Sequence, residues 1–179
     1  MNKKALILDR DGIINIDRHF VCKKEQVEFV DGIFELCRAA YQKSYFLIVT
    51  TNQSGIGRGY FSEDDFQILM NWLSEIFASE KCPLDRIYYC PYHPIYGIGN
   101  YCRESDLRKP NPGMILQAAK DFNLDLSKSI SIGDKITDIQ AAAAAKIGAN
   151  FLYSSLLDPI PSQYNCKIIR HLADVEAYL

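Results

Sequence analysis

The sequence predicts an α/β fold in three layers with a mainly parallel central sheet. Short apolar runs alternate with amphipathic stretches along the whole chain, the pattern left by strand–helix–strand units. The first of these runs also stops abruptly at charge, as a buried strand does where it leaves a sheet. Strands are expected at Ala5–Asp9, Tyr45–Thr50, Arg86–Cys90, Ser129–Gly133, Asn150–Tyr153 and Lys167–Ile169. Helices are expected at Ile33–Lys43, Ser62–Glu80, Gly113–Phe122, Asp138–Lys146 and Leu172–Leu179. Ser62, followed by Asp64 and Asp65, suits a helix start because acidic side chains favour the positive end of the helix dipole. Ala141–Ala145 reads as the small-residue face of a helix packed closely on a sheet rather than as low complexity.

Composition narrows the functional classes. At 179 residues the chain suits a single domain, 1–179, with a full-sized core. It is 48% hydrophobic and 23% charged with a net charge of −2, ordinary values for a globular protein. The pI of about 5.9 gives no electrostatic footprint for nucleic acid. Lys3 and Lys4 precede only four apolar residues before Asp9, too few for a signal peptide, and no run approaches a membrane span. A cytoplasmic protein is therefore expected. Its six cysteines (Cys22, Cys37, Cys82, Cys90, Cys102 and Cys166) are then expected to be mostly reduced. No heptad seam or sustained apolar surface helix appears, so a monomer is expected.

Four strings fall at strand ends or helix starts, where open α/β sheets bind ligands. The first is Asp9-Arg10-Asp11-Gly12. Two carboxylates that close repel each other and need a cation or a shared proton, which suits Mg²⁺ and an aspartyl nucleophile. A calcium-binding EF-hand is excluded, because Ile13 and Phe20 would occupy positions where that loop needs carboxylates. The second, Thr50-Thr51-Asn52-Gln53-Ser54-Gly55, offers hydroxyls, amides and a glycine, a phosphate cradle that adds no charge. The third, Arg108-Lys109-Pro110, supplies cations for phosphate. In the fourth, Gly133-Asp134-Lys135-Ile136-Thr137-Asp138, Asp134 is placed to complete a cation site and Asp138 to brace the loop or cap the helix. Each string alone also fits a surface turn.

In this order the strings resemble the motifs of the haloacid dehalogenase (HAD) superfamily of phosphohydrolases. Within it, Asp9–Asn15, Thr51–Gly59, Tyr88–Pro91, Arg108–Met114 and Gly133–Lys135 resemble the branch of heptose-bisphosphate and histidinol phosphatases. The resemblance runs from about Ala5 to Tyr153 and implies a Rossmann-like (HAD-like) fold. It also implies a Mg²⁺-dependent phosphomonoester hydrolase acting through an aspartyl phosphate. By similarity Asp9 is the nucleophile and Asp11 the general acid and base. Mg²⁺ is held by the Asp9 carboxylate, the Asp11 main-chain carbonyl and Asp134. Thr51 and Asn52 orient the phosphoryl group, Gln53 supports their loop, Lys109 neutralises charge, and Arg108 meets the rest of the substrate.

The segment 16–31 is too short for a separate cap domain, so no large cap is expected, and specificity falls to the long loop at about 91–107. Relatives carry a structural zinc there, held by a Cys-x-His pair and a later Cys-x-Cys pair. This chain departs from that pattern, with Tyr92 in place of the histidine and Ser105 and Leu107 in place of the later cysteines. Cys90, His93 and Cys102 remain as candidate ligands, one short of a closed tetrahedral site. A loop held by tyrosine and proline packing is the expectation. By the same resemblance the loop's length favours a sugar bisphosphate, heptose 1,7-bisphosphate above all, since the loop of histidinol phosphatases tends to be shorter. The alternatives are histidinol phosphate, another small phosphomonoester, or a non-catalytic phosphosugar-binding module.

Overall fold

Six apolar segments form strands in the computed structural model, which describes residues 3–154 and 162–179. They are β1 (Lys4–Leu8), β2 (Tyr45–Asn52), β3 (Arg86–Cys90), β4 (Ile130–Gly133), β5 (Ala149–Tyr153) and β6 (Cys166–Ile169). All pair in parallel, in the order β3-β2-β1-β4-β5-β6. The chain therefore winds outward in both directions from β1, and the crevice beyond the carboxyl ends of β1 and β4 is the switch point at which such sheets bind ligands.

Five helices cover the sheet: α1 (Ile33–Gln42), the single turn α2 (Ser54–Gly57), α3 (Glu63–Ser79), α4 (Gly113–Phe122) and α5 (Ile136–Ala144). Side chains alternate across a strand, so β1 serves both layers. Leu6 and Leu8 pack with α1 and α3, among Leu36, Phe66 and Phe77. Ala5 and Ile7 face the opposite layer, with Ile115 of α4 and Ala141 and Ala142 of α5. Both of those alanines are fully buried, which accounts for the alanine run. Ser62 caps α3 as expected, its hydroxyl accepting from the Asp65 main-chain N–H while Asp65 accepts from the N–H of Ser62.

Several element ends shift by a residue or two from expectation, and three differences bear on the site or the core. Strand β2 runs on through Thr51 and Asn52, so these residues end the strand rather than follow it. Helix α5 starts at Ile136, which puts Asp138 inside its first turn instead of at the cap. The expected helix Leu172–Leu179 is a 3₁₀ helix over Leu172–Tyr178. Its buried residues, Leu172 and Val175, are three apart, and the tighter helix stacks that spacing on one face. Residues 16–31 form loop with one 3₁₀ turn at Lys24–Gln26, and the 91–107 loop carries another at Gly99–Tyr101. Among the described residues no helix is long and apolar enough to cross a membrane.

Candidate active site

Strand β1 delivers Asp9 to the crevice, where its main-chain N–H still donates to Ile132 of β4 at 3.1 Å. Oδ1 of Asp9 accepts from the Arg10 main-chain N–H at 2.8 Å and lies 2.9 Å from Nζ of Lys109. Oδ2 has no donor among the described residues, so one oxygen is fixed and the other faces the cleft. Lys109 arrives from the loop before α4. Its ammonium also lies 2.5 Å from Oδ1 of Asp138 and donates to the Thr50 carbonyl at 2.9 Å. All three donors of a nearly water-free ammonium are thus engaged.

The electrostatics follow from this enclosure. Burial pushes the Asp9 carboxyl up to about 7 despite the pull of Lys109, and Asp138, Asp134 and Asp11 push the same way. Burial opposes the charge on Lys109, but Asp138 and Asp9 more than offset that and raise its pKa. Asp134 stands at about 6, driven first by burial, lowered by Lys135 and raised by Asp138 and Asp17.

Oxygens of Asp9, Asp134 and Asp138 lie within 4.8 Å of one another. Oδ1 of Asp134 is buried without a hydrogen-bond partner. Asp138 is taken up by Lys109 and the Lys135 main-chain N–H, which leaves Asp9 and the orphaned Asp134 oxygen as hard donors that fit Mg²⁺. Gly12 makes room for this arrangement: its φ is +96°, and a β-carbon there would collide with the Asp134 carboxylate.

Asp11 belongs to a different set of contacts. Arg10 grips its carboxylate through Nε at 3.1 Å and Nη2 at 2.7 Å, Asn15 Nδ2 reaches Oδ1 at 3.1 Å, and Gln53 Nε2 reaches Oδ2 at 3.0 Å. The same Gln53 nitrogen donates to Thr51 Oγ1 at 2.8 Å, so the Thr51 hydroxyl proton is free to point into the cleft. Asn52 spends its amide on the main chain of Lys109, donating to its carbonyl and accepting from its N–H, both at 3.0 Å. It holds the lysine's backbone in register and keeps its second amide hydrogen at the cleft it lines. Asp138 closes the far side, its Oδ2 accepting from the Lys135 main-chain N–H at 3.0 Å.

A cleft of about 340 Å³ is lined by Asp9, Asp11, Thr51, Asn52, Gln53, Arg108 and Lys109 and also by Asp17, His19, Phe20, Lys135 and Thr137. Every expected catalytic and phosphate-contact residue therefore reaches one space. Of the expected metal set, the Asp9 and Asp134 carboxylates meet, with Asp138 as a third carboxylate beside them, while Asp11 is expected there through its main-chain carbonyl. Arg10 and Asn15 were not expected. A basic residue wedged between two acids at a strand end was the available signal for Arg10, whose side chain is only 1% exposed.

The 91–107 loop supplies none of the lining residues among those described. Cys90, His93 and Cys102 do not form a cluster. Nδ1 of His93 accepts from the main-chain N–H groups of Ile95 and Tyr96 at 3.2 and 3.1 Å, and the Cys102 thiol donates to the Pro94 carbonyl at 3.4 Å. Aromatic packing holds the loop instead. Arg103 lies over the Tyr92 ring at 3.9 Å, and the Tyr101 hydroxyl donates to Glu63 at the start of α3 at 2.7 Å.

Comparison with known proteins places these contacts in a lineage. Residues 106–152 match the family model described as HAD-hyrolase-like. The chain is 55% identical over 152 residues to D-glycero-alpha-D-manno-heptose-1,7-bisphosphate 7-phosphatase of Burkholderia mallei, a match spanning 85% of this chain and 80% of that one. It is 45% identical to the D-glycero-beta-D-manno-heptose-1,7-bisphosphate 7-phosphatase of Vibrio cholerae, across 85% and 82% of the two chains. A solved structure of D,D-heptose 1,7-bisphosphate phosphatase from B. bronchiseptica, complexed with magnesium and phosphate, superposes with a TM-score of 0.79 at 27% identity, covering 97% of this chain and 96% of that one.

Proposed function

Because the chain belongs to the HAD family, with the heptose-1,7-bisphosphate 7-phosphatases as its relatives, we propose that it hydrolyses a phosphomonoester of a sugar bisphosphate, D-glycero-D-manno-heptose 1,7-bisphosphate being the substrate. The observation that carries this reading is the placement of Asp9. One of its oxygens is pinned by Lys109 and a main-chain N–H, and the other is open to a cleft that also holds Asp11 and the Thr51 hydroxyl.

The chemistry divides into two displacements. Oδ2 of Asp9 attacks phosphorus as the bond to the sugar oxygen breaks, and Asp11 gives the leaving oxygen a proton, since an alkoxide leaves poorly. Water then attacks the phosphorus of the aspartyl phosphate, Asp11 takes its proton, and the Asp9 carboxylate and inorganic phosphate are released. Arg10, Asn15 and Gln53 aim Asp11, and Gln53 orients Thr51 in the same contact. Lys109 and Thr51 stabilise charge on the transferring oxygens. The Asp9 carboxylate, the Asp11 main-chain carbonyl and Asp134 would hold Mg²⁺, which would offset the repulsion between carboxylate and phosphate dianion. Asp138 keeps Lys109 in place. We take the enzyme to act as a monomer on a single small-molecule substrate held in this cleft.

Phosphate release with Mg²⁺ from both anomers of the heptose bisphosphate, histidinol phosphate and a 3′-phosphorylated oligonucleotide tests the reading. Preferential turnover of one heptose anomer supports it. Turnover of histidinol phosphate alone moves the specificity within the same chemistry. Silence across the panel, with chelator making no difference, favours a phosphosugar-binding module and contradicts it.

A further inference from the structure

Helix α2 is a single turn, Ser54–Gly57, too short to hold its shape by its own hydrogen bonds. Ser54 and Gly55 nevertheless line the cleft beside Thr51, so contacts from outside the turn have to fix them. Its two ends are tied to the end of β3 and the chain beyond it. The Gln53 main-chain N–H donates to the Cys90 carbonyl at 2.8 Å, and the Gly57 carbonyl accepts from the Ile98 N–H at 2.7 Å. Gly57 is also pressed against the 91–107 loop. A β-carbon there would stand 2.4 Å from the Pro91 carbonyl oxygen and 3.0 Å from Cβ of Tyr101.

The loop is closed on itself around these contacts. The His93 N–H donates to the Tyr101 carbonyl at 3.1 Å, and the Gly97 N–H donates to the His93 carbonyl at 3.2 Å. Glu63 anchors this closed loop to the rest of the fold. Its Oε1 accepts from the Tyr101 hydroxyl at 2.7 Å and its Oε2 from the Tyr89 hydroxyl of β3 at 2.8 Å. Hydrogen bonds to a carboxylate are the stronger kind. Glu63 is the first residue of α3, a helix seated in the core through Phe66, Leu69, Met70, Leu73 and Phe77. A carboxylate on a rigid helix thus grips the loop on one side, while the loop grips the turn on the other.

We propose that Glu63 is a positioning residue for the phosphate cradle: it fixes the 91–107 loop through Tyr101, and the loop fixes Ser54 and Gly55 through Ile98 and Pro91. This rests on the phosphatase reading above. The loop then acts on phosphate binding without touching substrate, which accounts for its absence from the cleft lining among the described residues. Asp9, Asp11 and Lys109 stand on other segments, so cutting the anchor weakens binding at the cradle and spares the chemical step.

The test pairs KM for a sugar bisphosphate with the inhibition constant of inorganic phosphate, a probe too small to reach the rest of the substrate's site. In Glu63→Ala, assayed with Mg²⁺, both constants are expected to rise together by roughly 3- to 10-fold, with kcat within about twofold. Glu63→Gln should recover part of both, since its amide oxygen still accepts from one tyrosine hydroxyl. Tyr101→Phe cuts the loop's bond alone and should shift both constants the same way, which keeps the test decisive if Glu63→Ala folds poorly. A rise in KM with phosphate inhibition unchanged would place the loop's effect on the rest of the substrate and overturn the proposal. Unchanged constants, or a fall in kcat alone through loss of folded enzyme, would overturn it as well. A wild-type protein that neither turns over sugar phosphates nor binds phosphate would refute the phosphatase reading, and the positioning role with it.

Discussion

Nζ of Lys109 lies 2.9 Å from Oδ1 of Asp9, with both side chains almost closed to water. Among the described residues the lysine is also the one cation paired with Asp138, so it balances two buried carboxylates at once. Lys109→Met leaves those charges unpaired. A loss of roughly 3–5 kcal/mol is expected, lowering Tm by roughly 6–20 °C for a chain of this size. Calorimetry on the purified variant checks it, and a change of only a degree or two would mean the carboxylates are balanced in some other way.

Asp134 gives an expectation in pH. Its carboxyl is raised by burial from 3.8 to about 6 in the fold. A carboxyl with a raised folded pKa contributes stability below its unfolded pKa, and that contribution is lost as pH climbs through the folded value, because the unfolded chain gives up its proton first. In chelator, the wild type should therefore lose Tm relative to Asp134→Asn between about pH 4 and 7. Adding Mg²⁺ at neutral pH should raise the Tm of the wild type and leave the variant unmoved. Parallel pH curves, or equal Mg²⁺ responses, would contradict the placing of Asp134 at the metal.

The 91–107 loop should be sensitive to one hydroxyl. Tyr101→Phe deletes the bond to Glu63 Oε1 and leaves the ring beside Tyr92, their centroids 6.0 Å apart. A cost of about 1 kcal/mol is expected, with a several-fold rise in KM and kcat nearly unchanged, since the reacting groups sit on other elements. Steady-state kinetics separate the two constants. A fall in kcat alone would tie the loop to the chemistry itself.

Asn52 should act through Lys109. Asn52→Ala frees the lysine's carbonyl and N–H, and kcat and stability should fall together, whereas Asn52→Asp keeps the acceptor and should fall less in stability. Unfolding curves measured beside kcat check that linkage, and a kinetic loss at full stability would make Asn52 a direct phosphate contact.

Much of this was legible in the sequence because strand ends advertise themselves. The run from Ala5 to Leu8 could only be a buried strand, and a buried strand that ends in Asp9 puts that carboxylate at the sheet edge. The Thr51, Lys109 and Asp134 strings were legible for the same reason. What the sequence hid were partnerships across distance. Asn52 reads as a phosphate donor, but its bond at 3.0 Å to a backbone 57 residues away leaves no sign in the sequence. Asp138 looks like a helix cap until α5 starts two residues earlier and Lys109 takes one of its oxygens. Cys90, His93 and Cys102 look like metal ligands by type, yet they do not cluster, and Nδ1 of His93 serves the turn at 93–96.

The account stands most directly on Asp9 as the nucleophile. In an acid-quenched single turnover with sugar bisphosphate labelled on the phosphate that is cleaved, label should appear transiently on the peptide containing Asp9 and chase into inorganic phosphate. Asp9→Asn should stay folded, take up no label and lose activity by about 1,000-fold or more. Activity retained in Asp9→Asn, or label found on another residue, would contradict it.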